Sequence, residues 1–126
     1  MEMYNYFKNI RKDVKQAILD NYAKEEIRNA FKSLEARDEL YEKLYDDLWL
    51  YDSVTGNASG SYTFSTYQAE ENLCHNWDLL EEALDEFCVD YKEAIQKGAE
   101  YCDVTIRCYL LGEAIDVVLD ELSNIY

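Results

Sequence analysis

Apolar residues recur along this chain at intervals of three and four, the spacing that buries one face of an α-helix. The first stripe consists of Met3, Phe7, Ile10, Val14 and Ala17. Stripes of this kind predict a single all-α domain, with long helices over 3–20, 34–51, 66–87 and 99–122 and short ones near 24–32 and 90–97. The chain has no proline and only four glycines, which favours long uninterrupted helices.

The helix predicted over 99–122 differs from the others because it is apolar almost all round between Val104 and Leu119. Helices of that kind lie in the middle of a bundle, and Gly112 would let a neighbouring element approach closely. We expect Gly98 to end the short helix that precedes it. The helix over 34–51 is expected to bury Leu34, Tyr41, Leu44, Tyr45 and Leu48.

Residues 52–64 interrupt the helical pattern with two glycines, an asparagine and several hydroxyl side chains. They predict one turn-rich loop, or a small hairpin that pairs 53–55 with 61–64. Glycine-rich loops also bind phosphate, but this one lacks the Gly-Lys-Ser/Thr ending and follows a helix rather than a strand. We therefore expect a connector or a loop that contacts a partner.

Charge is distributed unevenly along the chain, whose net charge is −15. Residues 1–33 carry seven Lys/Arg and five Asp/Glu, a net of +2, whereas residues 34–126 carry five and 22, a net of −17. Such a field repels nucleic acid and anionic membranes and attracts basic clefts on other proteins. We expect the basic side of the first helix to fold against the acidic remainder, the alternative being a separate basic patch. That side carries Lys8, Arg11, Lys12 and Lys15.

Two rows of carboxylates follow the outer faces of predicted helices. The rows are Glu35, Glu39, Glu42 and Asp46, and Glu71, Asp78, Glu82 and Glu86. Carboxylates at this helical spacing lie about 5–6 Å apart, which approaches the spacing of charge along one nucleic-acid strand, about 3.4 Å. The rows therefore predict a surface that imitates nucleic acid. The alternative is that the acid serves only solubility, although like charges at this spacing destabilise a helix slightly.

The sequence offers little for catalysis or metal binding, and we expect neither an enzyme nor a cofactor. The single histidine, His75, lies on a predicted outer face among carboxylates and points about 100° away from Cys74. The four cysteines are spaced by 14, 14 and 6 residues, so we expect reduced, buried thiols rather than a disulfide or a zinc site. Because membrane-span and signal-peptide patterns are both missing, we expect a location in the cytoplasm, which in the light of the resemblance described next is that of a bacterial host cell.

Three stretches of the chain carry a resemblance to a known family. They are 47–64, which includes SVTGNASGSYTF, 69–83, which reads AEENLCHNWDLLEEA, and 102–112, which reads CDVTIRCYLLG. They resemble a family of small, acidic, functionally uncharacterised proteins of phages and conjugative elements of Firmicutes, over about residues 45–115. The resemblance assigns no catalytic residues. It implies a mobile genetic element, whose accessory proteins often disarm host defences, including CRISPR nucleases.

These observations favour an inhibitor of host defence of the anti-CRISPR kind. Its two acidic rows would occupy the basic nucleic-acid channel of a CRISPR-associated nuclease, and Asn57 and Tyr62 of the loop would add specific contacts. The alternative is a non-enzymatic adaptor or regulatory protein of the mobile element, which binds another protein through helix faces and tyrosines. Neither function requires direct contact with nucleic acid or with a membrane.

Overall fold

The computed structural model describes residues 3–50, 74–75, 85, 89–101 and 105–126. Within these ranges the chain forms five α-helices, one 3-10 helix (Val89–Tyr91) and no β-strand, which confirms the predicted all-α class. The helices are α1 (Met3–Asn21), α2 (Lys24–Ala30), α3 (Leu34–Leu50), α4 (Lys92–Tyr101) and α5 (Thr105–Ser123). The predicted loop over 52–64 and most of the predicted helix over 66–87 lie outside the described residues. Of that last helix, Cys74, His75 and Asp85 are described, and all three are helical.

Helix α5 lies at the centre of the described fold, as its apolar sequence predicts. It contacts α1, α3 and α4, and all six of its residues from 110 to 115 are buried. Its contact with α1 is the most extensive between any two of the described helices. The apolar core combines side chains from all five helices, namely Ile10, Val14, Ile18, Ile27, Ala30, Leu40, Leu44, Leu48, Ile95, Leu110, Leu111, Ala114, Ile115, Val118, Leu119 and Leu122.

Local hydrogen bonds define the starts of α2 and α3. The backbone N–H of Ala23 donates to Glu26 Oε1 at 3.3 Å, so the third residue of α2 caps its own helix. The backbone N–H of Ala36 donates to Ser33 Oγ at 3.1 Å, so Ser33 is the N-cap of α3. Since α2 and α3 follow one another within a few residues and contact each other, these caps fix the direction in which α3 leaves the turn.

Two predictions about individual residues are wrong. Leu34 is 83% exposed rather than buried, because it is the first residue of α3 and lies about 80° from Leu44 round the helix, at the flank of the buried face. Gly98 does not end a helix, since α4 continues through it to Tyr101. An interior glycine costs a helix only about 1 kcal/mol relative to alanine, and the burial of Ile95 in the same helix outweighs that cost.

The close approach that Gly112 predicts is confirmed by its contact with Tyr41 of α3. A Cβ atom on Gly112 would lie 2.6 Å from the hydroxyl oxygen of Tyr41, closer than real Cβ contacts allow. Gly112 is fully enclosed in α5, and Tyr41 is half-buried. The missing side chain thus makes room for a tyrosine hydroxyl, which ties the inner side of α3 to the central helix.

Candidate functional site

The outer face of α3 carries the first acidic row, which we call the α3 row: Glu35, Glu39, Glu42 and Asp46. All four side chains are exposed, as predicted. At 100° per residue they fall within about 60° of one another, and the row extends for about 16 Å along the helix. Asp38 is also exposed and lies about 60° from Glu35 round the helix, so it widens the row. Asp38 is not among the predicted residues of the row, although its spacing of three from Glu35 indicates that it lies beside it.

No cation of this chain neutralises the α3 row within the part that the structure describes. None of the four carboxylates forms an ion pair or hydrogen bond there. Lys43 belongs to the same helix, but its Nζ lies 3.9 Å from Glu26 Oε2 and 4.9 Å from the centre of the Tyr22 ring. The lysine of α3 therefore serves the contact with α2 and leaves the row with its full negative charge.

Carboxylates on α5 have the opposite surroundings, beginning with those that face α1. Glu113 is only 6% exposed, and Arg11 of α1 donates to its Oε1 through Nη2. Lys15, one turn further along α1, donates to Glu121 Oε1 at 2.5 Å. Two members of the basic side of α1 thus fold against acidic residues of α5, whereas Lys8 and Lys12 are exposed.

Asp116 of α5 is held from two directions. Arg37 of α3 donates to Asp116 Oδ1 at 3.3 Å, and Tyr91 donates its hydroxyl to Asp116 Oδ2 at 2.7 Å. The same guanidinium also donates to Asp120 Oδ1 at 3.0 Å. Arg37 of α3 therefore pairs with two carboxylates of α5, Asp116 and Asp120.

Burial raises the pKa of three groups that lie away from the outer face of α3. Burial raises the pKa of the Glu113 carboxyl, and the hydrogen bond from Arg11 opposes that shift. Burial also raises the pKa of the Tyr91 hydroxyl, as does its hydrogen bond to Asp116. The pKa of Asp13 is raised to about 6, mainly by burial, and its Oδ2 is buried without a hydrogen-bond partner. Glu113, Tyr91 and Asp13 thus affect the stability of the fold, and none of them lies on the outer face of α3.

A groove of about 290 Å³ runs beside the α3 row and is lined by Tyr41, Glu42, Tyr45 and Asp46. The two tyrosine rings are stacked, with centroids 6.3 Å apart and planes inclined by 29°. Their hydroxyls are engaged on the inner side: Tyr41 interacts with Tyr91, and Tyr45 with the thiol of Cys108. Both tyrosines lie on the side of α3 that carries the predicted apolar stripe; they are half-buried, pack against the core and line the open groove.

Most of the remaining predicted site residues lie outside the described part of the chain. These are Glu71, Asp78, Glu82 and Glu86 of the second row and Asn57 and Tyr62 of the loop. His75 is exposed on a helical segment, as predicted. Cys74 and Cys108 are half-buried and form no disulfide. Among the described residues, no group of three or more His, Cys, Asp or Glu side chains is placed to hold a metal ion. None of the described helices is long and apolar enough to cross a membrane.

Comparison of the chain with known protein families, with curated proteins and with solved structures finds no match. The resemblance to small acidic proteins of mobile elements therefore stays a prediction. Any assignment of function rests on the surface that the chain itself presents.

Proposed function

We propose that this protein inhibits a nuclease of host defence, of the anti-CRISPR kind, by placing the α3 row in the basic cleft that normally binds nucleic acid. The observation that carries the proposal is the exposure of four carboxylates in line on one helix, with no ion pair to any described residue. Their spacing approaches that of backbone phosphates. A cleft lined by Lys and Arg releases its counterions to such a surface as it does to nucleic acid.

The net charge of −15 supports the same partner chemistry at longer range. A strongly negative protein is steered toward a basic cleft and away from nucleic acid and anionic membranes. The second acidic row, with Asn57 and Tyr62 of the loop, would extend the contact in this proposal. The protein itself would perform no catalysis, and the inhibition would need no cofactor.

The experiment that tests the proposal is a cleavage assay with purified, guide-loaded nucleases of the Cas9 and Cas12 types. We expect this protein to inhibit cleavage by at least one of them and to lose potency as the salt concentration rises. Exposed charges are screened over about 10 Å at 0.1 M salt. The variant Glu35→Gln/Glu39→Gln/Glu42→Gln removes three charges of the α3 row without changing side-chain size. It should inhibit about 10- to 100-fold less strongly, at about 0.5–1 kcal/mol for each lost contact.

A matched control removes the same number of charges from exposed positions outside the row. Glu25→Gln/Asp90→Asn/Glu93→Gln changes the net charge equally, and it should retain inhibition within about threefold. Equal loss in both triple variants would mean that only the overall field acts. Inhibition that ignores salt, or that survives neutralisation of the row, would contradict the mimic mechanism.

The adaptor function is separated from inhibition by a cellular assay. If the protein inhibits a defence nuclease, a targeted plasmid or phage survives in cells that contain an active CRISPR system and this protein. If the protein is an adaptor of the mobile element, survival stays at the level without it, and it co-purifies with a protein of that element.

A further inference from the structure

The groove beside the α3 row combines two kinds of surface that rarely occur together on a solvated helix. One wall consists of the stacked rings of Tyr41 and Tyr45, and the other consists of the carboxylates of Glu42 and Asp46. Because the Tyr41 hydroxyl lies against Gly112 of α5, Tyr41 offers the groove ring surface rather than a hydrogen-bonding group. An aromatic wall beside two negative charges is the chemistry that attracts an organic cation.

We propose that this groove is the binding site for an arginine side chain of a protein partner. The partner class follows from the proposed function, on which this inference rests. A nucleic-acid-binding cleft is rich in arginine, since arginine contacts phosphates and base edges. The complementary charge of the groove then selects a residue that such a cleft already contains.

Arginine fits the groove better than lysine does. Its guanidinium is planar, stacks on aromatic faces and is more weakly hydrated than an ammonium group. It also donates in a fork that two carboxylates accept, and Glu42 and Asp46 lie one helical turn apart. A guanidinium that stacks on one ring of the Tyr41–Tyr45 pair lies within about 6 Å of the centroid of that ring. Lysine offers only a point charge.

The groove also has no competing cation among the described residues of this chain. Neither Glu42 nor Asp46 forms an ion pair there, and Lys43, which lies between them in sequence, contacts Glu26 and Tyr22 instead. A partner's arginine therefore meets no described cation of this chain at Glu42 or Asp46. This distinguishes the groove from the carboxylates of α5, whose cations are supplied by the fold.

The test uses the full chain and the probe Nα-acetyl-arginine N-methylamide, with the corresponding lysine compound as comparison. The ring protons of Tyr41 and Tyr45 are followed by NMR at low ionic strength and assigned from the spectra of Tyr41→Phe and Tyr45→Phe. We expect saturable shifts at both rings with a dissociation constant in the millimolar range. We expect the lysine compound to bind at least fivefold more weakly. Shifts that do not saturate, or equal binding of the two probes, would overturn the proposal.

Variants identify the walls of the site. Glu42→Gln/Asp46→Asn should weaken arginine binding at least tenfold, whereas Glu35→Gln/Glu39→Gln, which removes two charges of the same row outside the groove, should weaken it less than threefold. Tyr45→Leu should abolish binding and Tyr45→Phe should retain it, because the ring supplies the contact. If Tyr45→Leu fails to fold, the comparison of the two double charge variants tests the proposal by itself. Equal losses of arginine affinity in these two double variants would mean that the groove is not the binding site.

The outcomes separate this inference from the proposed function. If the protein inhibits a nuclease but the arginine probe does not bind the groove, the inference fails and the mimic mechanism stands. If the probe binds as expected and no nuclease is inhibited, the groove remains an arginine site, and the proposed function is wrong.

Discussion

The carboxylates of α5 and those of the outer face of α3 have the same chemistry and opposite surroundings. On α5, Glu113 and Glu121 contact cations of α1, and Asp116 and Asp120 contact Arg37. On the outer face of α3, no described cation contacts any member of the row. A buried carboxylate requires a partner because desolvation of an unpaired charge is costly, whereas an exposed one is stabilised by water. Of these four carboxylates only Glu113 is buried, so the cations lie where α5 faces α1 and α3 rather than on the outer face of α3.

This difference bears on the choice between solubility and recognition. If the row served only solubility, a surface with both carboxylates and cations would serve as well. Such a surface would also avoid the repulsion between like charges within the row. Lys43 lies in the same helix and makes its contacts elsewhere. The difference between the two helices therefore favours a row whose cation comes from a partner.

The largest expected effect comes from removing a cation on the α5 side. Arg11→Met leaves Glu113 buried without its ion pair, and the loss of one partner of a buried pair costs about 3–5 kcal/mol. We expect the free energy of unfolding, measured by denaturant titration, to fall by about 3 kcal/mol. That is the low end of this range because the Arg11 side chain is partly exposed.

Lys8→Met is the matched control, because Lys8 is an exposed cation of the same helix. It should change the free energy of unfolding by no more than about 0.5 kcal/mol. The double variant Arg11→Met/Glu113→Leu should recover most of the lost stability, since an apolar pair replaces a buried ion pair well. Similar losses for Arg11→Met and Lys8→Met would show that the pairing on α5 is incidental.

The two sides of the comparison also differ in how far the sequence predicts them. Exposure of the α3 row follows from helical periodicity, which is a local property, and so does the central place of α5. The ion pair of Arg11 with Glu113 joins residues 102 positions apart, and periodicity contains no information about which helices meet. The exposure of Leu34 and the open groove at Tyr41 also depend on tertiary contacts, since a residue at the flank of a face is buried only if something covers it.

Asp13 is an intermediate case, because it is partly buried and its Oδ2 has no hydrogen-bond partner. Its pKa is raised from 3.8 to about 6, so the folded state binds more protons than the unfolded state between these values. Stability therefore falls as the pH rises from about 4 to 6 and stays lower above that range. We expect Asp13→Asn to stabilise the protein at pH 7 by about 1–2 kcal/mol, after discounting a nominal 3 kcal/mol for partial exposure.

The pH dependence is the informative part of this second prediction. At pH 4 the carboxyl of Asp13 is protonated in the folded protein, and Asp13→Asn should have little effect on the denaturant midpoint. Asp38→Asn, at an exposed position of α3, is the control and should change the denaturant midpoint little at either pH. If the gain from Asp13→Asn is equal at pH 4 and pH 7, the unpaired carboxylate is not its source.

The smallest expected effect is a gain in stability on the α3 side. The variant Glu39→Gln/Glu42→Gln/Asp46→Asn removes three like-charged pairs within the row and a fourth between Asp38 and Glu42, each worth about 0.2–0.5 kcal/mol. Glu35 is retained because acid in the first turn of a helix is favourable. We expect the free energy of unfolding to rise by about 0.5–1 kcal/mol at low salt. The gain should disappear near 1 M salt, where charges are screened within about 3 Å.

The α5 counterpart is Asp116→Asn, which weakens the contacts of one carboxylate with Arg37 and Tyr91 and should lower stability under the same conditions. If the free energy of unfolding falls in Asp116→Asn and rises in the α3 variant, the fold depends on the carboxylates of α5 and only tolerates those of α3. A loss of stability in the α3 variant would mean that the row has partners within the fold. Its charge would then be structural, and the reason for assigning the row to a basic cleft would be gone.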